Sequence, residues 1–220
     1  MIAAELISYD IPSLKFSDTG NKALNLMEEF KVSELPIVAD GEYIGVVSEA
    51  SLLDNNEGDV MVETTAFNLP KPFAQEGQHL FEVIALMVKN DISILPVINS
   101  NNQYLGVITT KMVVNHLSRV VSIANEGSII TLEVNVKDYS LSEIARMVES
   151  DDAKILTSFI TSHPDSTKLE VTLKINKTDI SRILHTFNRF NYVVLASYNK
   201  SEYHEDLQNK YNEFIRFLNP

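Results

Sequence analysis

Two hydroxyl side chains at matching places carry the clearest chemical signal in this chain of 220 residues. Ser48 closes the segment Gly-Val-Val-Ser, and Thr109 closes the segment Gly-Val-Ile-Thr. Each follows an apolar strand and precedes a segment that favours a helix, so its oxygen can cap that helix. The same oxygen could instead contact a polar ligand, and both interpretations stay open. Lys111 is the only cation at either motif, and it is either a solvated side chain or a phosphate contact.

Several other chemistries are excluded by what the sequence lacks. The chain has no cysteine, which rules out disulfides, thiolate zinc sites and thiol catalysis. None of its histidines has another histidine three to five residues away, so a helical metal pair is absent. The glycine-rich phosphate loops and the G-x-S-x-G nucleophile motif are missing as well. We therefore expect neither catalysis nor a resident cofactor or metal.

The charge distribution argues against nucleic acid and membrane partners. The net charge is −12, and residues 1–120 carry 16 acidic and seven basic side chains without a basic cluster. Nucleic-acid binding needs such a cluster, because phosphate contacts supply most of its affinity. No apolar run approaches the ~18 residues of a membrane span, and the first nine residues lack the cations of a signal peptide. The sequence thus predicts a cytoplasmic protein.

The elements that hold the two hydroxyls form an internal repeat. Residues 32–38 match residues 92–98, and residues 43–48 match residues 104–109 after one residue of loop-length difference. Each copy predicts a helix, a strand, a turn and a second strand. One such unit exposes an apolar sheet face, so we expect the copies to pack together around a pseudo-two-fold axis. The predicted strands are residues 35–38 and 43–47 in the first copy, and 94–98 and 104–108 in the second.

This tandem pattern resembles the cystathionine-β-synthase (CBS) domain. The resemblance rests on the Leu-Pro-(Ile/Val)-(Val/Ile) strands, the Gly-Val-(Val/Ile)-(Ser/Thr) strand ends and their spacing. It implies two repeats, residues 1–63 and 64–122, with two clefts that often hold adenosine nucleotides such as AMP or ATP. It also implies pairing into homodimers.

Nucleotide-binding members of this family usually continue the motif to an aspartate, three residues after the hydroxyl, that accepts hydrogen bonds from the ribose. Ser51 and Met112 stand at these positions. Serine is a weak substitute and methionine offers no useful acceptor, so we expect weak nucleotide binding. The resemblance places any adenosine ligand near Ser48 or Thr109. Further contacts are expected from the strand residues Leu35, Pro36, Leu95 and Pro96, and from Asn68.

The second half of the chain follows a different pattern. Alternating or apolar strands are predicted at residues 128–136, 153–162, 169–175 and 192–198. Helices are expected after Ser140 and Thr178, giving the order β-α-β-β-α-β of ferredoxin-like folds. This order, after a CBS pair, resembles the ACT regulatory domain. The fold class is therefore α+β: a tandem CBS pair, an ACT-like domain at 128–200 and a C-terminal helix at 201–220.

The ACT resemblance does not extend to the amino-acid site. ACT domains that bind amino acids place a glycine between the first strand and helix, whereas residues 128–220 contain no glycine. Asp138 and Tyr139 in that loop either make a different site or form a plain polar loop. The C-terminal helix has a narrow apolar stripe, which packs on its own domain or forms a dimer contact.

Together these features predict a non-enzymatic regulatory protein. Its CBS pair would bind an adenosine-type nucleotide weakly and signal through a homodimer, with a partner enzyme as its target. The alternative is a structural or interaction module without a ligand, which regulates a partner protein.

Overall fold

The computed structural model describes residues 1–54, 58–62, 69–162 and 167–198. Asn68 and the expected helix at 201–220 lie outside the described residues. The chain divides into two compact units, Met1–His116 and Leu117–Pro220.

The first repeat contains a helix–strand–strand–helix sequence. Thr19 begins its first helix, since its hydroxyl accepts a hydrogen bond from the Lys22 backbone at 3.3 Å. The two strands then pair antiparallel. The elements are a 3₁₀ helix at Ala3–Leu6, α1 Gly20–Phe30, β1 Glu34–Ala39, β2 Glu42–Ser48 and α2 Glu49–Asp54.

The second repeat has the same order with one addition. A short strand precedes its first helix and pairs parallel with the strand that follows that helix, a feature that the sequence did not indicate. The elements are β3 Ala74–Gln75, α3 Leu80–Asn90, β4 Ile94–Ile98, β5 Tyr104–Thr109 and α4 Thr110–Val120. Both predicted strand pairs are confirmed, because their apolar residues form the sheet cores.

The segment that leads into the first repeat crosses to the second repeat before it returns. We call residues 7–14 the first lead-in segment. Ser8 pairs antiparallel with Val107 on β5, and Leu14 then pairs parallel with Ile37 on β1. The backbone N–H of Ser8 donates to the Val107 carbonyl at 2.7 Å. The first repeat is thus held on its partner by main-chain hydrogen bonds.

The second lead-in segment, residues 69–75, makes the reciprocal crossing. The Val46 N–H on β2 donates to the Pro70 carbonyl at 3.1 Å. Ala74 then pairs with Val97 on β4 of its own repeat. The same exchange in both directions is the relation expected for a pseudo-two-fold pair.

Each repeat packs its own apolar core, and the strands β1 and β4 are buried along most of their length. The first core consists of Leu14, Ala23, Met27, Leu35, Ile37, Val47, Leu52 and Val62. The second consists of Ala3, Leu6, Ala74, Leu80, Val83, Met87, Leu95, Val97, Ile108 and Val113. The start of the chain therefore completes the core of the second repeat.

The second unit has the β-α-β-β-α-β order that the sequence predicts. Its four antiparallel strands lie in the order β7-β8-β6-β9, as in ferredoxin-like and ACT-like folds. The alternating residues of β6 and β8 bury one face of this sheet in a single core. The elements are β6 Ser128–Asn135, α5 Leu141–Glu149, β7 Ile155–Ser162, β8 Lys168–Ile175, α6 Ser181–Arg189 and β9 Val193–Tyr198.

One expected helix cap in this unit is confirmed and the other is wrong. The Ser140 hydroxyl accepts a hydrogen bond from the Glu143 N–H at 3.4 Å and begins α5. Thr178 does not cap α6, which begins at Ser181 after an uncapped Ile180. The Thr178 carbonyl instead accepts a hydrogen bond from the Ser128 hydroxyl at 3.0 Å, so this residue closes the loop onto β6.

Candidate functional site

A cleft of about 530 Å³ opens in the first unit where β5 meets α4. This volume is within the range of small-molecule sites, roughly 300–1,000 Å³. Both repeats and the first lead-in segment contribute to its walls. The lining residues are Ser8, Asp10, Ile11, Phe30, Lys31, Val32, Ser93, Thr109, Thr110, Lys111, Met112 and Asn115.

Thr109 is confirmed as a helix cap, and it also lines the cleft. Its hydroxyl accepts a hydrogen bond from the Met112 N–H at 3.2 Å, which caps the beginning of α4. The residue also lines the cleft and is half-buried. Ser48 repeats the cap, accepting from the Ser51 N–H at 3.2 Å, but it is not among the residues that line this cleft.

The positions that would hold a ribose differ between the repeats, although neither supplies a carboxylate. Met112 lines the cleft with a thioether side chain, which is at best a weak acceptor. The Ser51 hydroxyl donates to the Ser48 carbonyl at 2.8 Å, so its proton is already used within the first turn of α2. A ribose at either position would lack the charge-assisted contact that an aspartate provides.

A second cation, from outside the repeat motifs, joins Lys111 in this cleft. Lys31 lines the same cleft. It ends α1 in the left-handed conformation, with φ of 55°, and its N–H donates to the Met27 carbonyl. The helix end therefore turns at Lys31, 80 positions before Lys111. Nothing in the local sequence indicates that these two lysines share a cleft.

Ser93 connects the cleft to the interior of the first repeat. Its carbonyl accepts hydrogen bonds from the Thr110 N–H at 2.9 Å and from the Thr110 hydroxyl at 3.0 Å. Its own N–H donates to the buried Glu34 carboxylate at 3.1 Å, and its hydroxyl donates to the same oxygen. These bonds fix the beginning of α4 relative to β1.

The strand residues that were predicted for the site lie in the protein interior. Four strand residues are buried and do not line the cleft: Leu35, Pro36, Leu95 and Pro96. The lining residues that sequence reasoning missed include Asp10, Lys31, Ser93 and Asn115. They come from segments that are distant along the chain, and of these four only Ser93 lies within the matched repeat segments.

A second cavity, of about 420 Å³, lies in the second unit at the end of β6. Asp138 lines it together with Glu133 and Glu143, whereas Tyr139 packs against the core of the unit. Burial, Glu143 and Asp138 raise the pKa of Tyr192, which also lines this cavity. Within the described ranges, no three metal-ligating side chains are close enough to hold an ion.

The CBS domain family matches residues 3–57 and residues 59–119, more than half of the chain. The protein belongs to the CBS domain family. CBS domains are regulatory modules that often bind adenosine ligands. The second unit adds the ACT-like topology described above.

Similar proteins carry this module in different settings. The inosine-5'-monophosphate dehydrogenase of Methanocaldococcus jannaschii is 26% identical over 115 residues, which are 50% of this chain and 22% of that enzyme. The chain thus matches less than a quarter of that relative's length. A CBS domain pair/ACT domain protein from Thermotoga maritima is 22% identical, with a TM-score of 0.48, over 54% of this chain and 98% of that one. CBSX2 in complex with AMP is 25% identical, with a TM-score of 0.44, over 54% and 97%.

Among the residues that the structure describes, no helix is both long and apolar enough to cross a membrane.

Proposed function

We propose that this protein is a regulatory sensor that binds an adenosine-type nucleotide in the cleft between β5 and α4. The observation that carries the proposal is the cleft itself, which combines the family's hydroxyl position at Thr109 with walls from both repeats. A ligand there would touch Lys31 of the first repeat and Lys111 of the second. Its binding would therefore change how firmly the repeats are held together.

The affinity is expected to be low. The missing carboxylate at Met112 removes a charge-assisted contact, which costs about 2–3 kcal/mol or roughly thirty- to a hundredfold in affinity. Lys31 offsets part of this loss when the ligand is phosphorylated. We therefore expect dissociation constants for AMP and ATP in the high-micromolar range.

The test is a thermal or chemical unfolding measurement of the full chain with millimolar AMP or ATP. Ligand at 100 times its dissociation constant should add about 2.7 kcal/mol to the free energy of unfolding. Thr109→Ala should weaken binding by about 1–2 kcal/mol. Ser48→Ala is the matched control, because both changes remove one helix cap and only Thr109 lines the cleft. Equal affinity in the two variants would place the ligand elsewhere.

A homodimer is the form in which we propose that the signal is passed on. Exposed apolar side chains on α3 and α4 support this assembly, with Val88 76% and Val114 57% exposed. A groove of about 260 Å³ lies between these helices. Light scattering at micromolar concentration should give twice the mass of the chain, and a stable monomer would contradict the proposal.

The second candidate function is an interaction module that regulates a partner protein, such as an enzyme, without a ligand. The observation that favours it is the absence of a ribose-binding carboxylate at both Ser51 and Met112. No stabilisation by any adenine nucleotide at millimolar concentration would select this candidate.

A further inference from the structure

The cleft carries a charge opposite to that of the protein around it. Two lysines and one aspartate line it, in a chain whose net charge is −12. Both Lys31 and Lys111 are exposed, and within the described part of the chain neither forms an ion pair. Thirty acidic side chains are available to this protein, so two ammonium groups without acidic partners in one cleft favour an anionic ligand.

The two lysines come from different repeats, so a ligand that contacts both must extend across the cleft. Lys31 follows α1, and Lys111 lies in the first turn of α4. A lysine ammonium is a compact point charge with three donors, which suits a phosphate group. A phosphate chain that extends from one wall to the other would meet both charges.

Two of the three hydroxyl groups beside the lysines have no proton left to donate to a ligand. The Thr109 oxygen accepts from the Met112 N–H, and the Ser93 hydroxyl donates to Glu34. The Thr110 hydroxyl donates to the Ser93 carbonyl. Each hydroxyl has one proton, so Ser93 and Thr110 have none left to donate. With methionine at position 112, the start of α4 offers no strong acceptor for ribose hydroxyls.

We propose that this cleft recognises its ligand by phosphate and does not read the ribose. This inference rests on the proposed nucleotide-sensing function and specifies its ligand class. Adenine nucleotides bind with an affinity that rises from adenosine to AMP to ATP, and the 2'-deoxy forms bind as well as the ribose forms. The ligand connects the two repeats through its phosphates.

The experiment is calorimetry on the full chain with adenosine, AMP, ATP and their 2'-deoxy counterparts. The affinities for ATP and 2'-deoxy-ATP should agree within about twofold, and adenosine should bind at least about tenfold more weakly than ATP. Lys31→Met and Lys111→Met should each weaken ATP binding about tenfold and leave adenosine unchanged. Lys137→Met is the control, since Lys137 is an exposed lysine of the second unit that does not line the cleft.

Position 112 gives a test that does not depend on the lysines. Met112→Asp should create a preference for ATP over 2'-deoxy-ATP of about tenfold, because a carboxylate can accept from both ribose hydroxyls. Met112→Leu, which keeps the site apolar, should leave the two ligands equal. The ratio of the two affinities is the measured quantity, so a general loss of binding in either variant does not affect the outcome.

Failure of this inference and failure of the proposed function give different experimental results. If ribonucleotides bind and their 2'-deoxy forms bind more than about fivefold more weakly, the nucleotide sensor stands and this inference is wrong. Asp10→Asn then shows whether the one carboxylate that lines the cleft among the described residues holds the ribose. Lysine variants that bind ATP like Lys137→Met also overturn the inference. If no nucleotide binds at millimolar concentration, the proposed function fails and the inference fails with it.

Discussion

The two CBS repeats share one backbone arrangement and differ at the side chains around it. Gly45 on β2 and Gly106 on β5 stand at equivalent positions, and each is covered by the lead-in segment of the opposite repeat. Three residues beyond each strand's hydroxyl, one repeat has Ser51 and the other has Met112. The comparison shows that the two crossing lead-in segments restrict the strand positions at Gly45 and Gly106. The helix starts lie beyond these contacts, and their residue types differ.

Alanine substitution at these two glycines is expected to give the largest difference in stability between the repeats. A Cβ at Gly106 would lie 2.5 Å from Ile7 Cγ2, and its φ of 145° disfavours side chains. A Cβ at Gly45 would lie 3.0 Å from Leu69 Cβ. We expect Gly106→Ala to lower the free energy of unfolding by about 3 kcal/mol and Gly45→Ala by about 1 kcal/mol.

Urea unfolding of the full chain measures both glycine variants. Gly77→Ala is the control, because its Cβ would have no atom within 4 Å, and its effect should be less than about 1 kcal/mol in either direction. Equal costs at Gly45 and Gly106 would mean that the two crossings are equally tight, contrary to the geometry.

A second test concerns Glu34 of the first repeat, whose equivalent in the second repeat is the apolar residue Ile94. Glu34 is 8% exposed and accepts both hydrogen bonds of Ser93. Ser93→Ala leaves the buried carboxylate with one donor fewer and should cost about 1–2 kcal/mol. Glu34→Ile removes the charge together with its need for donors, and should change stability by less than about 1 kcal/mol.

Equilibrium unfolding at pH 7 compares these two variants, and the double variant tests their coupling. Once isoleucine replaces Glu34, the further Ser93→Ala change should cost little. A larger loss for Glu34→Ile than for Ser93→Ala would show that the carboxylate stabilises the pair of repeats beyond satisfying Ser93.

The smallest expected difference between the repeats is in how their stability changes at low pH. Asp18 and Gln78 stand at equivalent positions, and each accepts a backbone hydrogen bond at 2.8 Å, from Lys15 and Gln75 respectively. Burial alone would raise the pKa of Asp18, but hydrogen bonds from Lys15 and Lys22 outweigh it and hold the pKa below 3.8. The stabilisation by Asp18 is therefore complete above this value and is lost as the pH falls through the lower pKa of the folded protein.

Asp18→Asn should lower the free energy of unfolding by about 1 kcal/mol at pH 7 and by less near pH 3. Gln78→Ala is the matched change in the second repeat, and its cost should be the same at both pH values because the amide does not titrate. Urea unfolding at the two pH values measures both. A cost of Asp18→Asn that does not vary with pH would show that the charge of Asp18 contributes nothing.

Much of the fold could be predicted because its signals are local. The apolar strands around Leu35 and Leu95 and the cap at Ser140 lie within a few residues of the elements that they define. The cap predicted at Thr178 was wrong, because the helix begins three residues later, at Ser181, after Ile180. Three of the twelve described residues that line the cleft were predictable for the same reason: Thr109, Lys111 and Met112 belong to the repeat motif itself.

The sequence by itself determined the two repeats, their strand pairs, the order of the second unit and the lack of an aspartate at positions 51 and 112, because periodicity and residue type express these directly. Only the tertiary structure decided that the lead-in segments cross between repeats and that Lys31 lies in the cleft with Lys111. These facts depend on which surfaces meet when two apolar cores pack together. Residues 80 positions apart become neighbours through burial of those cores, and no local pattern records it.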